Sequence, residues 1–121
     1  MSFRFDHLHI KVTEPQAAKD FFVNRLGAVV LAELGSTGYG YRVDLHGLVV
    51  NITTLSPGQV RDQHYGIEHI ALETDEFSEA IERLTGGGAK VLEEVRTRDG
   101  LRVSFLEGCD GVQFELLERE S

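Results

Sequence analysis

The chain contains one motif twice. Phe5-Asp6-His7-Leu8-His9-Ile10-Lys11 returns sixty-two residues later as Ile67-Glu68-His69-Ile70-Ala71-Leu72-Glu73. In each copy an acid precedes a histidine, and apolar side chains alternate after it. A helix-like run follows each copy, then further strand-like runs. Such a period restricts the fold to a tandem of one supersecondary unit, because every strand and helix assigned to one half must have a counterpart in the other.

Residues 5–12 read as a strand, with Leu8, Ile10 and Val12 on one face and His7, His9 and Lys11 on the other. Thr13 can cap the helix that follows, and Pro15 suits its first turn. Ala17, Ala18, Phe21, Phe22 and Leu26 form its apolar stripe, and Gly27 ends it. Strands are expected at 28–34, 39–45 and 48–54, the last two joined at His46-Gly47. A two-residue turn there sets Arg42 opposite Asn51 and Asp44 opposite Val49. The second unit repeats this order. A strand at 67–73 precedes a helix at 75–84, with Phe77, Ala80, Ile81 and Leu84 on one face. A strand at 89–95 and a hairpin of 101–106 with 112–117 complete it. Gly40-Tyr41-Arg42-Val43 matches Gly100-Leu101-Arg102-Val103, which puts Arg102 on the same face as Arg42. The expected fold class is α+β: two tandem βαβββ units forming a cleft of mixed β-sheets, with the helices outside. One domain of 121 residues is expected, with unit one at 1–57, a linker at 58–65 and unit two at 66–121.

The formal net charge is −8, from 12 Lys+Arg against 20 Asp+Glu. An acidic chain without a basic cluster is repelled by phosphate, so neither nucleic acid nor an anionic membrane is an expected partner. No apolar run approaches the roughly 18 residues that span a bilayer. Residues 1–4 lack the apolar stretch of a signal peptide, and Cys109 has no second cysteine to pair with. The expected compartment is therefore a reducing cytoplasm.

Side-chain parity divides each strand into an apolar face and a polar one. The polar parity collects His7, His9, Asn51, His69, Gln113 and Glu115, and the hairpin partners add Arg42 and Arg102. Two histidines and a carboxylate from three strands on one face resemble the facial-triad ligand set, which suits Fe(II), Mn, Co, Ni or Zn. His7 and His69 hold the same place in the two repeats, and Asn51 and Glu115 share another. A pseudo-two-fold axis would bring all four together. His9, Arg42, Arg102, Asn51 and Gln113 are then candidates for substrate contact. Arg42 and Arg102 have the geometry to meet a carboxylate or phosphate.

The chain resembles the vicinal oxygen chelate superfamily, which includes glyoxalase I, methylmalonyl-CoA epimerase, extradiol dioxygenases, fosfomycin-resistance enzymes and bleomycin-binding proteins. The resemblance rests on Asp6-His7-Leu8-His9-Ile10-Lys11-Val12, on Phe21-Phe22 through Leu26-Gly27, and on Glu68-His69-Ile70-Ala71-Leu72. It extends through Phe105-Leu106-Glu107 to Asp110-Gly111-Val112-Gln113-Phe114-Glu115-Leu116. Metal-binding members draw ligands from their first, fourth, fifth and eighth strands, which implies His7, Asn51, His69 and Glu115 here. Asn51 departs from that pattern, because glyoxalase I has a carboxylate there and the epimerase a glutamine. The resemblance implies a divalent-metal enzyme with His7, His69 and Glu115 as ligands, Glu115 also being catalytic. Fe2+ or Mn2+ is favoured, with Zn2+, Ni2+ and Co2+ as alternatives. The chemistry would be ring-cleaving dioxygenation, or lyase or isomerase proton transfer, on a small molecule. Glyoxalase I proper is not expected. The competing expectation is a metal-free, antibiotic-type binding protein. A homodimer is expected, because a small two-unit chain leaves sheet edges to cover.

Overall fold

The computed structural model describes residues 3–120. It contains eight strands and two helices in the order βαβββ, βαβββ. The residues form two compact bodies, one of residues 7–68 and the other of residues 3–6 with 69–120.

The first body is built on β1 (Phe3–Lys11), α1 (Pro15–Leu26), β2 (Val29–Leu34), β3 (Gly40–Leu45) and β4 (Leu48–Thr53). Its strands lie in the order β2-β3-β4-β1, with β1 parallel to β4 and the other pairs antiparallel. α1 begins with Pro15 in its first turn, but Glu14 holds the cap position and makes no side-chain bond there. Gly27, at φ 77°, turns the chain out of the helix in the left-handed conformation. His46 Nε2 bonds the Leu26 carbonyl at 2.6 Å, satisfying an acceptor that the helix end leaves open. Ala18 and Phe22 of the helix pack onto Ala28, Val43, Val50 and Ile52, together with Leu8, Ile10 and Val12. The expected stripe is thus split: Phe22 packs on the core, whereas Phe21 is 55% exposed.

The second body repeats the plan with β5 (Gly66–Thr74), α2 (Phe77–Gly86), β6 (Lys90–Arg96), β7 (Arg102–Glu107) and β8 (Gln113–Glu118). Its order is β5-β8-β7-β6, with β5 and β8 parallel. Thr74 Oγ1 accepts the Glu76 N–H at 3.0 Å as the chain enters α2. Phe77 and Ala80 from α2 meet Leu106 and Leu116 of the sheet, with Phe3, Leu72, Ile81 and Leu84 around them.

The two hairpins differ in a way that decides which side chains share a face. Leu45 pairs with Leu48, so His46-Gly47 is a two-residue turn, with both residues at positive φ as its geometry demands. The second hairpin pairs Glu107 with Gln113 and needs a longer connection, with a 3-10 turn at Cys109–Gly111. Consequently Asn51 faces Arg42, two residues beyond Gly40, whereas Glu115 faces Phe105, five residues beyond Gly100. An odd difference reverses parity. Arg102 therefore lies on the α2 side of its sheet, which corrects the expectation that it shares a face with Glu115. Its guanidinium stacks on Phe77 at 4.6 Å, donates to Ser78 Oγ at 2.9 Å and pairs with Glu118 at 3.0 Å.

Candidate metal and substrate site

In the first body, β1 alternates core and site. Leu8 and Ile10 enter the apolar cluster, so His7, His9 and Lys11 must take the other face. The parallel register sets Asn51 beside His9 and Thr53 beside Lys11. Gly40 helps place this row. A Cβ at that position would come within 2.5 Å of the Ile52 carbonyl, so only glycine lets β3 run this close to the end of β4.

His7 and Asn51 are buried, at 6% and 9% exposure. The His7 and His9 ring centroids are 5.7 Å apart. His9 Nε2 lies 2.7 Å from Thr53 Oγ1, which fixes the ring. The Arg42 guanidinium donates to Asn51 Oδ1 at 3.1 Å. Asp44 accepts the Gly47 N–H in the turn.

In the second body, His69 on β5 is 3% exposed and meets Glu115 of β8, Nε2 to Oε1, at 3.1 Å. The pair arises from register. Ala71 lies beside Glu115, and His69, two residues back, shares its face. Phe105, opposite Glu115, presents its ring edge-on to His69 at a centroid distance of 5.4 Å. Gln113 starts β8 on the same parity as Glu115 and is half-buried. The groove formed by Phe77, Ile81, Glu94, Arg96 and Arg102 opens on the α2 side. It therefore does not contain the His69–Glu115 pair.

The donor chemistry fits a divalent ion. His7 and His9 in the first body, and His69 in the second, each offer a ring nitrogen of the kind that ligates a metal, and the Glu115 carboxylate is bonded to His69. A proton on His69 Nε2 and a cation there are alternatives at one lone pair, so a neutral ring would take an ion with its N–H on Nδ1. Imidazole and carboxylate together suit first-row ions better than calcium or magnesium.

One group of residues near this face was not anticipated. Lys11, of the same parity as His7 and His9, is 2% exposed and lies 3.8 Å from the Glu68 carboxylate. Arg61 reaches that carboxylate at 2.5 Å, and Lys11 also bonds Ser56 Oγ at 3.0 Å. Parity already indicated Lys11, and Glu68 is the acid of the repeated acid-histidine pair. Arg61 lies between periodic segments, where no pattern marks it. His64 bonds the Ile67 carbonyl from an exposed position, and Cys109 is exposed in its turn.

Comparison with known proteins agrees with this architecture. Residues 4–116 match the Glyoxalase/Bleomycin resistance protein/Dioxygenase superfamily. Lactoylglutathione lyase of Salmonella typhimurium is 28% identical, covering 95% of this chain and 92% of the relative. The Neisseria meningitidis lactoylglutathione lyase is 29% identical, covering 98% and 92%. Among solved structures, a hypothetical protein from Bacillus halodurans has a TM-score of 0.75 at 25% identity, covering 100% of this chain and 97% of its own. Methylmalonyl-CoA epimerase of Mycobacterium tuberculosis has a TM-score of 0.72 at 18% identity, covering 97% and 88%, a likeness of fold. With its repeated βαβββ units and histidine-bearing first and fifth strands, the chain belongs to the glyoxalase/bleomycin resistance protein/dioxygenase superfamily, the vicinal oxygen chelate proteins.

Proposed function

We propose that the protein is a divalent-metal-dependent enzyme acting on a small molecule with two neighbouring oxygens, and that His7, His69 and Glu115 hold the ion. The observation that carries this reading is the His69–Glu115 pair, a buried imidazole and a carboxylate joined at the ring nitrogen a metal would take. The ion, when bound, supplies a Lewis acid for the two substrate oxygens. Glu115 moves the proton, accepting it from the substrate carbon at its carboxylate and returning it. His9, fixed by Thr53, orients substrate by hydrogen bonding. Gln113, on the same face as Glu115, offers an amide to the same molecule. The Phe105 ring beside His69 keeps water from that side of the pair.

Proton-transfer lyase or isomerase chemistry is favoured over ring cleavage, because the curated relatives are lactoylglutathione lyases. Glyoxalase I activity itself is not proposed. Asn51 stands where that enzyme has a second carboxylate, and an amide is no base at neutral pH. The donor set also argues against a metal-free binding protein, which has no need of buried imidazoles paired in this way. The test is solvent exchange. Metal-reconstituted protein in deuterated water should wash the α-proton from a member of a panel of 2-hydroxy ketones and 2-carboxyacyl thioesters, and Glu115→Gln should abolish it. Oxygen uptake with catechols and no exchange with any panel member would overturn the proton-transfer reading.

A further inference from the structure

We infer that Asn51 serves as a hydrogen-bond donor to substrate and not as a metal ligand, and that with Arg42 it selects a substrate bearing a carboxylate beside the chelated oxygens. This rests on the metal-dependent reading above and adds the substrate class to it.

The argument starts from one hydrogen bond. A guanidinium has five donors and no acceptor, so the amide atom 3.1 Å from Arg42 Nη1 must be the carbonyl oxygen. That oxygen is the only atom through which an asparagine side chain ligates a hard or borderline cation. With a permanent positive charge bonded to it, its affinity for a second cation falls. The same bond fixes the amide plane, so Nδ2 and its two N–H donors face away from Arg42. Arg42 is thus a positioning residue for Asn51 as well as a charge in its own right.

Register extends this pair into a row. Arg42 lies directly across from Asn51 on β3, and His9 lies beside Asn51 on β1. Guanidinium, amide and imidazole therefore stand side by side on adjacent strands, spaced by about 4.8 Å per strand. The row presents a cation, an amide and an imidazole. An anionic oxygen approaching Asn51 meets amide donors polarised by Arg42, and charge-assisted bonds of this kind are about twice as strong as neutral ones. A neutral substrate gains much less from the same row.

The experiment uses oxalate, a small dianion with vicinal oxygens, titrated calorimetrically into protein loaded with Mn2+ or Zn2+. Metal affinity is measured on the same samples. Arg42→Gln should weaken oxalate binding about tenfold or more while leaving metal affinity within about twofold, and Arg42→Lys should recover part of the loss. Asn51→Asp should do the opposite to the two ligands, raising metal affinity and weakening oxalate. Equal oxalate affinity in wild type and Arg42→Gln, with metal bound in both, overturns the inference alone. So does a loss of metal affinity in Asn51→Ala as large as that in His69→Ala. If wild type takes up no metal, the metal-dependent reading fails. The row is then judged on oxalate binding to the metal-free protein, where an unchanged Arg42→Gln overturns it as well.

Discussion

The Glu118 carboxyl is held below its ordinary value of 4.5, first by the side-chain hydrogen bond from Arg102 and then by the Arg102 backbone N–H. A depressed carboxylate contributes stability that is present above its unfolded value and is lost as pH falls through the folded one. The pair is open to solvent, so the effect is small. Glu118→Gln should lower Tm slightly at pH 7, and the gap between variant and wild type should narrow as pH falls through the folded value of the carboxyl. A gap that persists unchanged into acid would show that Glu118 acts through packing. Arg102 also marks what single residues conceal. Its place in the sequence imitates Arg42, yet its neighbours are Ser78 and Phe77 of α2. The candidate site residues could be named from the sequence because alternation along β1, β4, β5 and β8 is strict. The partners that orient them, Thr53 for His9 and Arg42 for Asn51, follow only once register is known.

At the scale of elements, the strands and both helices were legible to within two residues at their ends. The repeat made each half a check on the other. The hairpin between β7 and β8 was misread in one respect, because matching Gly100 to Gly40 ignores the longer connection at 108–112. The segment between β4 and β5 was legible only as a polar linker. In the structure it delivers Arg61 to a buried carboxylate, with Lys11 beside it. Three charges with side chains no more than 4% exposed depend on one another, and Glu68 supplies the only negative one of the three. Removing it takes this carboxylate from two buried cations. Breaking such a group typically costs about 3–5 kcal/mol. Glu68→Gln should therefore shift the urea midpoint strongly downward. A loss under about 1 kcal/mol would mean that solvent reaches the cluster and screens it.

At the scale of the whole molecule, among the described residues no helix is long and apolar enough to cross a membrane. The edge strands β2 and β6 differ. β6 carries Lys90, Glu93, Glu94 and Arg96, charges of the kind that discourage strand addition. β2 exposes Val29 at 61% and Leu31 at 53%. That contrast supports the proposal of a homodimer covering β2. Sedimentation at micromolar concentration should give a dimer for wild type and a monomer for Leu31→Lys; a wild-type monomer would remove any version of the site shared between chains. The central claim concerns the metal, and it is tested most directly by elemental analysis of anaerobically purified protein, with wild type beside His69→Ala. About one first-row ion per chain, lost in the variant while the fold survives by circular dichroism, is the predicted result. Wild-type protein that holds no metal even after reconstitution with Fe2+, Mn2+, Ni2+, Co2+ and Zn2+ would contradict it.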